Sequence, residues 1–181
     1  MPDIEIQLIS EPNSRNNIRS TCVEMLEQRG FSIDEEDEEM IIGVRDSDYD
    51  IVVFFDSSQK LDTDKVKVFI AKMKELELRN CIIVYKESVT APARKVIEEL
   101  QEYKIEIFKE TELRYNITKH RLVPKHLALT KAESAEFKKQ YGLKIPVLLK
   151  ADAVAKFYNF QKGEIIKIER TDGTVSFRIV K

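Results

Sequence analysis

Glycine is scarce in this 181-residue chain, with 5 residues where average usage of about 7% would give ~13. So few glycines leave little material for a phosphate-cradling loop, and neither a P-loop nor a dinucleotide-binding fingerprint occurs. Cysteine and histidine are scarcer, at 2 each. Cys22 and Cys81 lie far apart in apolar runs, which predicts two buried thiols and a reducing compartment rather than a disulfide framework. His120 and His126 flank Pro124 with no clustered cysteine. That is a poor donor set for zinc, which takes four ligands, or three plus water. There is no G-x-S-x-G motif, and neither cysteine has a histidine close by, so no nucleophile triad is indicated. No apolar run approaches the ~20 residues of a membrane span. The opening MPDIEIQLIS carries acids where a signal peptide carries Lys or Arg. A soluble intracellular protein without a cofactor or metal is expected.

Apolar side chains are plentiful: 43% of residues are hydrophobic and 34% charged, enough for a buried core and against wholesale disorder. The length suits one large domain or two small ones. Lys plus Arg is 30 and Asp plus Glu is 32, a net charge of −2, but this mean conceals a split. Residues 118–181 carry 14 Lys/Arg against 6 Asp/Glu, a net +8, which leaves −10 for residues 1–117. A boundary after Ile117 therefore predicts two domains with different partners, the basic one facing nucleic acid or an acidic protein surface.

Periodicity supplies the elements. Ile4, Ile6 and Leu8 alternate as in a short strand. Asn13–Arg29 predicts a helix with Ile18, Cys22, Met25 and Leu26 on one stripe and Gly30 as its stop. Asp34–Glu39 is a run of six acids, expected to repel itself into an exposed loop. Met40–Val44, Tyr49–Phe55, Cys81–Tyr85 and Ile105–Phe108 predict strands, the central ones covered on both faces. Asp62 or Thr63 caps a helix reaching Leu78, and Thr90 precedes another with Pro92 in its first turn. This order defines an α/β domain with an open sheet. The remainder predicts a small α+β unit. Thr130 and Glu133 form a capping box for a helix closed by Gly142, and Asp152 caps a short helix through Tyr158. Glu164–Arg170 and Val175–Val180 form a hairpin over Thr171-Asp172-Gly173-Thr174, with Ile165, Ile168, Phe177 and Ile179 as core.

Two catalytic patterns come close. Asp46, Asp48 and Asp50 alternate like the start of a calcium loop, but Ile51 stands where glycine is required and Ser57 where glutamate is. A metal-dependent nuclease needs an Asp on one strand and acid-x-Lys on the next. Asp50 or Asp56 could be the first acid, but the following strand ends Val84-Tyr85-Lys86, with valine at the second carboxylate. Glu102-Tyr103-Lys104 and Glu136-Phe137-Lys138 have the spacing but fall at a helix end and within a helix. An endonuclease-like DNA-processing protein is thus the alternative reading, and a stand-alone DNA-binding factor a third.

The run Asn116-Ile117-Thr118-Lys119-His120-Arg121-Leu122-Val123-Pro124-Lys125-His126 resembles the fifth subunit shared by the eukaryotic nuclear RNA polymerases, whose C-terminal part corresponds to a small subunit of the archaeal enzyme. The likeness continues through Gln140-Tyr141, Lys150-Ala151-Asp152-Ala153-Val154-Ala155, Gly163-Glu164-Ile165-Ile166-Lys167-Ile168 and Phe177-Arg178-Ile179. More faintly, Val89-Thr90-Ala91-Pro92-Ala93-Arg94-Lys95 resembles the family's I-T-P-S-A-x-K segment, with Ala91-Pro92 in place of Pro-Ser. Ala153 likewise replaces a usual proline, and the terminal hairpin is short. These departures mark a divergent copy, cellular or viral.

The resemblance implies a non-catalytic polymerase subunit. Its C-terminal domain (118–181) would dock as an assembly module on the largest subunit, beside neighbouring subunits. Its N-terminal domain (1–117), of a fold related to restriction endonucleases, would form part of the lower jaw around downstream duplex DNA. The expected location is the nucleus for a cellular copy and the cytoplasmic virus factory or virion for a viral one. Thr90, Arg94 and Lys95 become DNA-proximal candidates, at a helix start able to hold phosphate without reading bases, or else an ordinary helix surface. His120, Val123, Pro124, Lys125, His126, Lys167 and Arg178 become assembly-interface candidates. The stretch around Pro124 could equally be a rigid linker, and Lys162, Lys167, Arg170 and Arg178 simply solvated. An exposed hairpin edge could alternatively pair with a partner strand.

Overall fold

A computed structural model describes residues 14–45, 49–142 and 144–181. The strand expected at Ile4–Leu8 lies outside them, as do Asp46 and Asp48. The chain divides into two compact units, the first ending at Tyr115 and the second spanning Asn116–Lys181. The division falls two residues before the boundary placed by charge. Asn116 accepts the Thr118 N–H at 3.0 Å and caps the 3-10 turn Ile117–Lys119, which contacts elements of the second unit.

The first unit begins with α1 (Ser14–Gln28), whose Ile18, Cys22, Met25 and Leu26 are buried at helical spacing. Gly30 ends it at φ +86°, a conformation cheap for glycine, with its N–H on the Glu27 carbonyl. Five strands follow in one sheet: β1 (Ser32–Glu36), β2 (Met40–Val44), β3 (Ile51–Phe55), β5 (Asn80–Tyr85) and β7 (Lys104–Lys109), in the order β1-β2-β3-β5-β7. The first two pairings are antiparallel and the last two parallel. Parallel pairing requires crossovers. They are α2 (Thr63–Glu75), capped by Asp62, and α3 (Ala91–Glu99), capped by Thr90. A short parallel pair, β4 (Lys60–Leu61) with β6 (Ser88–Val89), leads into them.

Both sheet faces are covered, as the continuous apolar strands required. One face places Ile42, Val52, Phe54, Cys81 and Ile83 in a core with Leu61, Val66, Met73 and Ala93. The other carries Ile41, Val53 and Ile82 in register, each with no exposed surface. There Gly43 allows close approach: a Cβ on it would lie 3.2 Å from Phe31 Cβ and 3.3 Å from Leu26 Cδ1.

The acidic run departs from expectation. Residues 34–36 are not loop but part of β1, paired to β2 as an edge strand with a bulge between Ile33 and Glu35. Charge repulsion is tolerated because the side chains remain exposed, while the main-chain ladder and two cations hold the strand and turn in place.

The second unit is a four-stranded sheet of order β8-β10-β11-β9 with two helices. Its strands are β8 (Lys125–Ala128), β9 (Val147–Leu148), β10 (Ile165–Glu169) and β11 (Val175–Val180). Between them lie α4 (Lys131–Tyr141), opened by the Thr130–Glu133 capping box, and α5 (Ala153–Tyr158), capped by Asp152. The hairpin joins Ile165 to Ile179 and Glu169 to Val175, with Gly173 at φ +82° in its turn. One sheet face forms a core of Leu148, Ala155, Phe160, Ile166, Ile168 and Val180. On the other, Phe137 of α4 packs on Phe177 at 4.6 Å between ring centroids. Ile165 and Ile168 are buried core, while Phe177 and Ile179 are half-buried.

Candidate functional site

The two alternative first acids of the nuclease reading sit at opposite ends of β3. Asp50 precedes the strand, and its main-chain carbonyl accepts Asn80 Nδ2 at 3.0 Å. Asp56 follows it, is 5% exposed, and is held from several sides. Ser58 donates its N–H at 3.0 Å, its Oγ lies 2.7 Å from both carboxylate oxygens, and Lys65 Nζ is 3.4 Å away. A carboxylate engaged in this way serves the turn after β3. Beside it, Phe55 pairs with Val84, which is 1% exposed and offers no ligand. Glu136-Phe137-Lys138 lies within α4 of the second unit. Among the described residues no cluster of three His, Cys, Asp or Glu could hold a metal. Both thiols are buried, and burial pushes Cys22 up to about 12 and raises Cys81 as well. Thiolate nucleophiles need the opposite shift.

Near the acidic turn the first unit forms an open cleft of about 1060 Å³, lined by Arg19, Phe54, Phe55, Lys65, Phe69 and Lys72 among others. Arg19 lies over the Phe55 ring at 4.8 Å and donates to Glu38 O and Glu36 Oε1, each at 3.2 Å, and to Asp37 O. Lys72 meets Glu39 at 2.7 Å. Asp37 accepts the N–H groups of Met40 and Glu39, which hold its carboxyl below the usual range. The hydrogen bonds of Arg19 and Lys72 join residues 17 to 33 positions apart, so sequence spacing gave no sign of them.

The DNA-proximal candidates gather at the start of α3. Thr90 Oγ1 accepts the Ala93 N–H at 3.3 Å, and the Arg94 N–H donates to Thr90 O at 3.0 Å. Pro92 has no N–H. The helix start therefore presents fewer donors than a bare helix terminus does. Arg94 and Lys95 are exposed, and Lys95 lies 3.7 Å from Glu99.

The assembly candidates divide into two groups. His120 is exposed, and its Nδ1 accepts the Leu122 N–H at 3.2 Å in the turn before β8. Val123 and Pro124 are half-buried there. The others share one sheet. Lys125 and His126 lie on β8, Lys167 on the adjoining β10 and Arg178 on β11. His126 turns inward, 9% exposed, with Nδ1 2.8 Å from Pro124 O. Lys167 pairs with Glu169 at 2.6 Å and, with that bond, holds the Glu169 carboxyl below its usual range. Arg178 donates to Val147 O at 3.3 Å, and Arg170 to Ser176 Oγ at 3.2 Å. Lys162 is exposed. Exposed apolar residues accompany them: Leu122 at 75%, Leu149 at 63%, Tyr141 at 62% and Leu127 at 38%. Nothing in their sequence spacing separates these four from core residues.

The second unit coincides with a known domain: residues 115–180 match the family model for RNA polymerase Rpb5, C-terminal domain. Similarity to relatives extends into the first unit. The DNA-directed RNA polymerases I, II, and III subunit of Dictyostelium discoideum is 32% identical over 87% of this chain and 90% of its own. A protein of Invertebrate iridescent virus 6, described as a DNA-directed RNA polymerase subunit, is 34% identical over 87% of this chain and 95% of its own. The DNA-directed RNA polymerase V subunit 5A of Arabidopsis thaliana is 28% identical over 97% of this chain and 92% of its own. The chain belongs to the RNA polymerase Rpb5 family.

Proposed function

We propose that the chain is a non-catalytic subunit of a DNA-directed RNA polymerase. It docks on the largest subunit, beside neighbouring subunits, through Asn116–Lys181. The unit ending at Tyr115 serves as a restriction-endonuclease-like scaffold in the lower jaw, near downstream duplex DNA. The observation that carries this reading is similarity to polymerase subunits over nearly the full length of both chains.

Charge supports the division of labour. The second unit is net +8 and the rest of the chain −10. Independent duplex binding needs several cations to displace counterions, so an acidic jaw meets DNA as part of the complex. There Arg94 and Lys95 position phosphate without selecting sequence. The complex works in the nucleus for a cellular copy and in a virus factory or virion for a viral one. Affinity purification of the tagged chain at mild salt tests the proposal. Recovery of the largest polymerase subunit is expected, and its absence from the eluate would remove the basis of the reading.

A further inference from the structure

The sheet of the second unit has two edge strands, and they are finished differently. At the β9 edge the outward main-chain acceptors are occupied: Val147 O accepts Arg178 Nη1 at 3.3 Å, and Leu149 O accepts the Asp152 N–H at 2.9 Å. Pro146 precedes this two-residue strand. Such devices prevent strand pairing. At β8, which Pro124 precedes in the same way, no bond outside the sheet is made to the main-chain groups of His126 and Ala128 among the described residues. Leu129 N–H donates to Ile165 O at 2.9 Å, and Leu127 pairs with Lys167. By the alternation of an antiparallel ladder, Leu127 and Leu129 bond inward, while the N–H and C=O groups of His126 and Ala128 face away from the sheet. Lys125, Leu127 and Ala128 are exposed along this edge.

We propose that β8 receives an extended acidic segment of the partner polypeptide as an added strand, bonded to the outward main-chain groups of His126 and Ala128. This rests on the polymerase-subunit reading above and names how that docking surface is engaged. Main-chain bonds supply affinity in strand addition, and flanking side chains supply selectivity. Here Leu127 offers an apolar contact at 38% exposure. Exposed Lys125, in a unit of net +8, selects an acidic segment. The same charge opposes edge-to-edge pairing of two copies of this chain.

Proline replacement separates the two edges. Ala128→Pro removes an outward N–H and leaves the inward ladder intact, a change edge strands tolerate. Val147→Pro removes an outward N–H at β9. Each tagged full-length variant is purified alongside wild type, and the co-purifying largest polymerase subunit is quantified. Ala128→Pro is expected to weaken capture roughly tenfold, the factor for one interstrand bond lost with its acceptor left unpaired, while Val147→Pro captures at the wild-type level. Equal capture by Ala128→Pro and wild type, or equal loss in both variants, overturns the β8 assignment and leaves the polymerase reading in place. No polymerase subunit with wild type overturns both. Hydrogen exchange on the wild-type chain provides a readout independent of mutant folding. The amides of His126 and Ala128 slow in the purified complex relative to the free chain. Unchanged exchange, or slowing produced by duplex DNA alone or by self-association, overturns the proposal.

Discussion

Arg29 and Glu106 form a forked ion pair whose removal should be costly. Nη1 and Nη2 of Arg29 each lie 2.9 Å from a different oxygen of Glu106, joining the end of α1 to β7 across 77 residues. The side chains are 5% and 20% exposed. Arg29→Met keeps the apolar stem but removes both guanidinium bonds from the partly buried carboxylate. Breaking a fully buried pair costs about 3–5 kcal/mol. Water can reach the one-fifth of Glu106 that is exposed, which lowers the expectation to about 2–4 kcal/mol. A domain of this size has roughly 5–15 kcal/mol in total, so the urea midpoint should fall markedly. Replacing both partners, in Arg29→Met/Glu106→Leu, removes the desolvation penalty together with the attraction and should return stability to within about 1 kcal/mol of wild type. The assay is a double-mutant cycle by urea unfolding, followed by circular dichroism. An unchanged midpoint for Arg29→Met, or single losses that add in the double variant, would refute the assignment of this pair as the tie between α1 and the sheet.

Other consequences are open to simple measurement. Burial holds Cys22 protonated up to about 12. Its contribution is therefore intact below the unfolded thiol value and declines as pH rises above it towards 12. Stability should fall from about pH 9 upward, and native-state labelling of either cysteine at pH 8 should be far slower than in urea. Equal labelling rates would contradict the burial of both thiols. Asp152 accepts the N–H groups of Val154 and Ala155 at 2.9 and 3.3 Å. Asp152→Ala should destabilise the second unit by about 1 kcal/mol, visible as a lower unfolding midpoint. The full chain should not cleave duplex DNA with Mg²⁺. Cleavage that disappears in Asp56→Asn or Asp50→Asn would revive the endonuclease alternative.

Much of the architecture was legible because its signals are local. Gly30 as a helix stop, Asp62 and Thr90 as caps, the Thr130–Glu133 box and the Asp172-Gly173 turn are all found where short-range chemistry places them. What escaped depends on distant partners. Lys125–Ala128 has no β-branched residue and becomes a strand because Lys167 and Ile168 of β10 lie alongside it. The acidic run becomes an edge strand and tethered turn because Arg19 and Lys72 reach it from helices distant in sequence. Val147–Leu148 is too short for alternation and is recruited by β11. For the site, the sequence put forward the Asn116–His126 stretch and the basic residues of the hairpin as assembly candidates. It could not show that His126 turns inward or that Arg178 closes an edge.

The central claim is membership of a polymerase assembly, and sedimentation tests it most directly. In a gradient of native extract, the chain should travel with the largest polymerase subunit and with transcription activity, and should leave them for slower fractions when salt dissociates the complex. A chain that sediments as a free monomer at mild salt, away from that activity, would contradict the account.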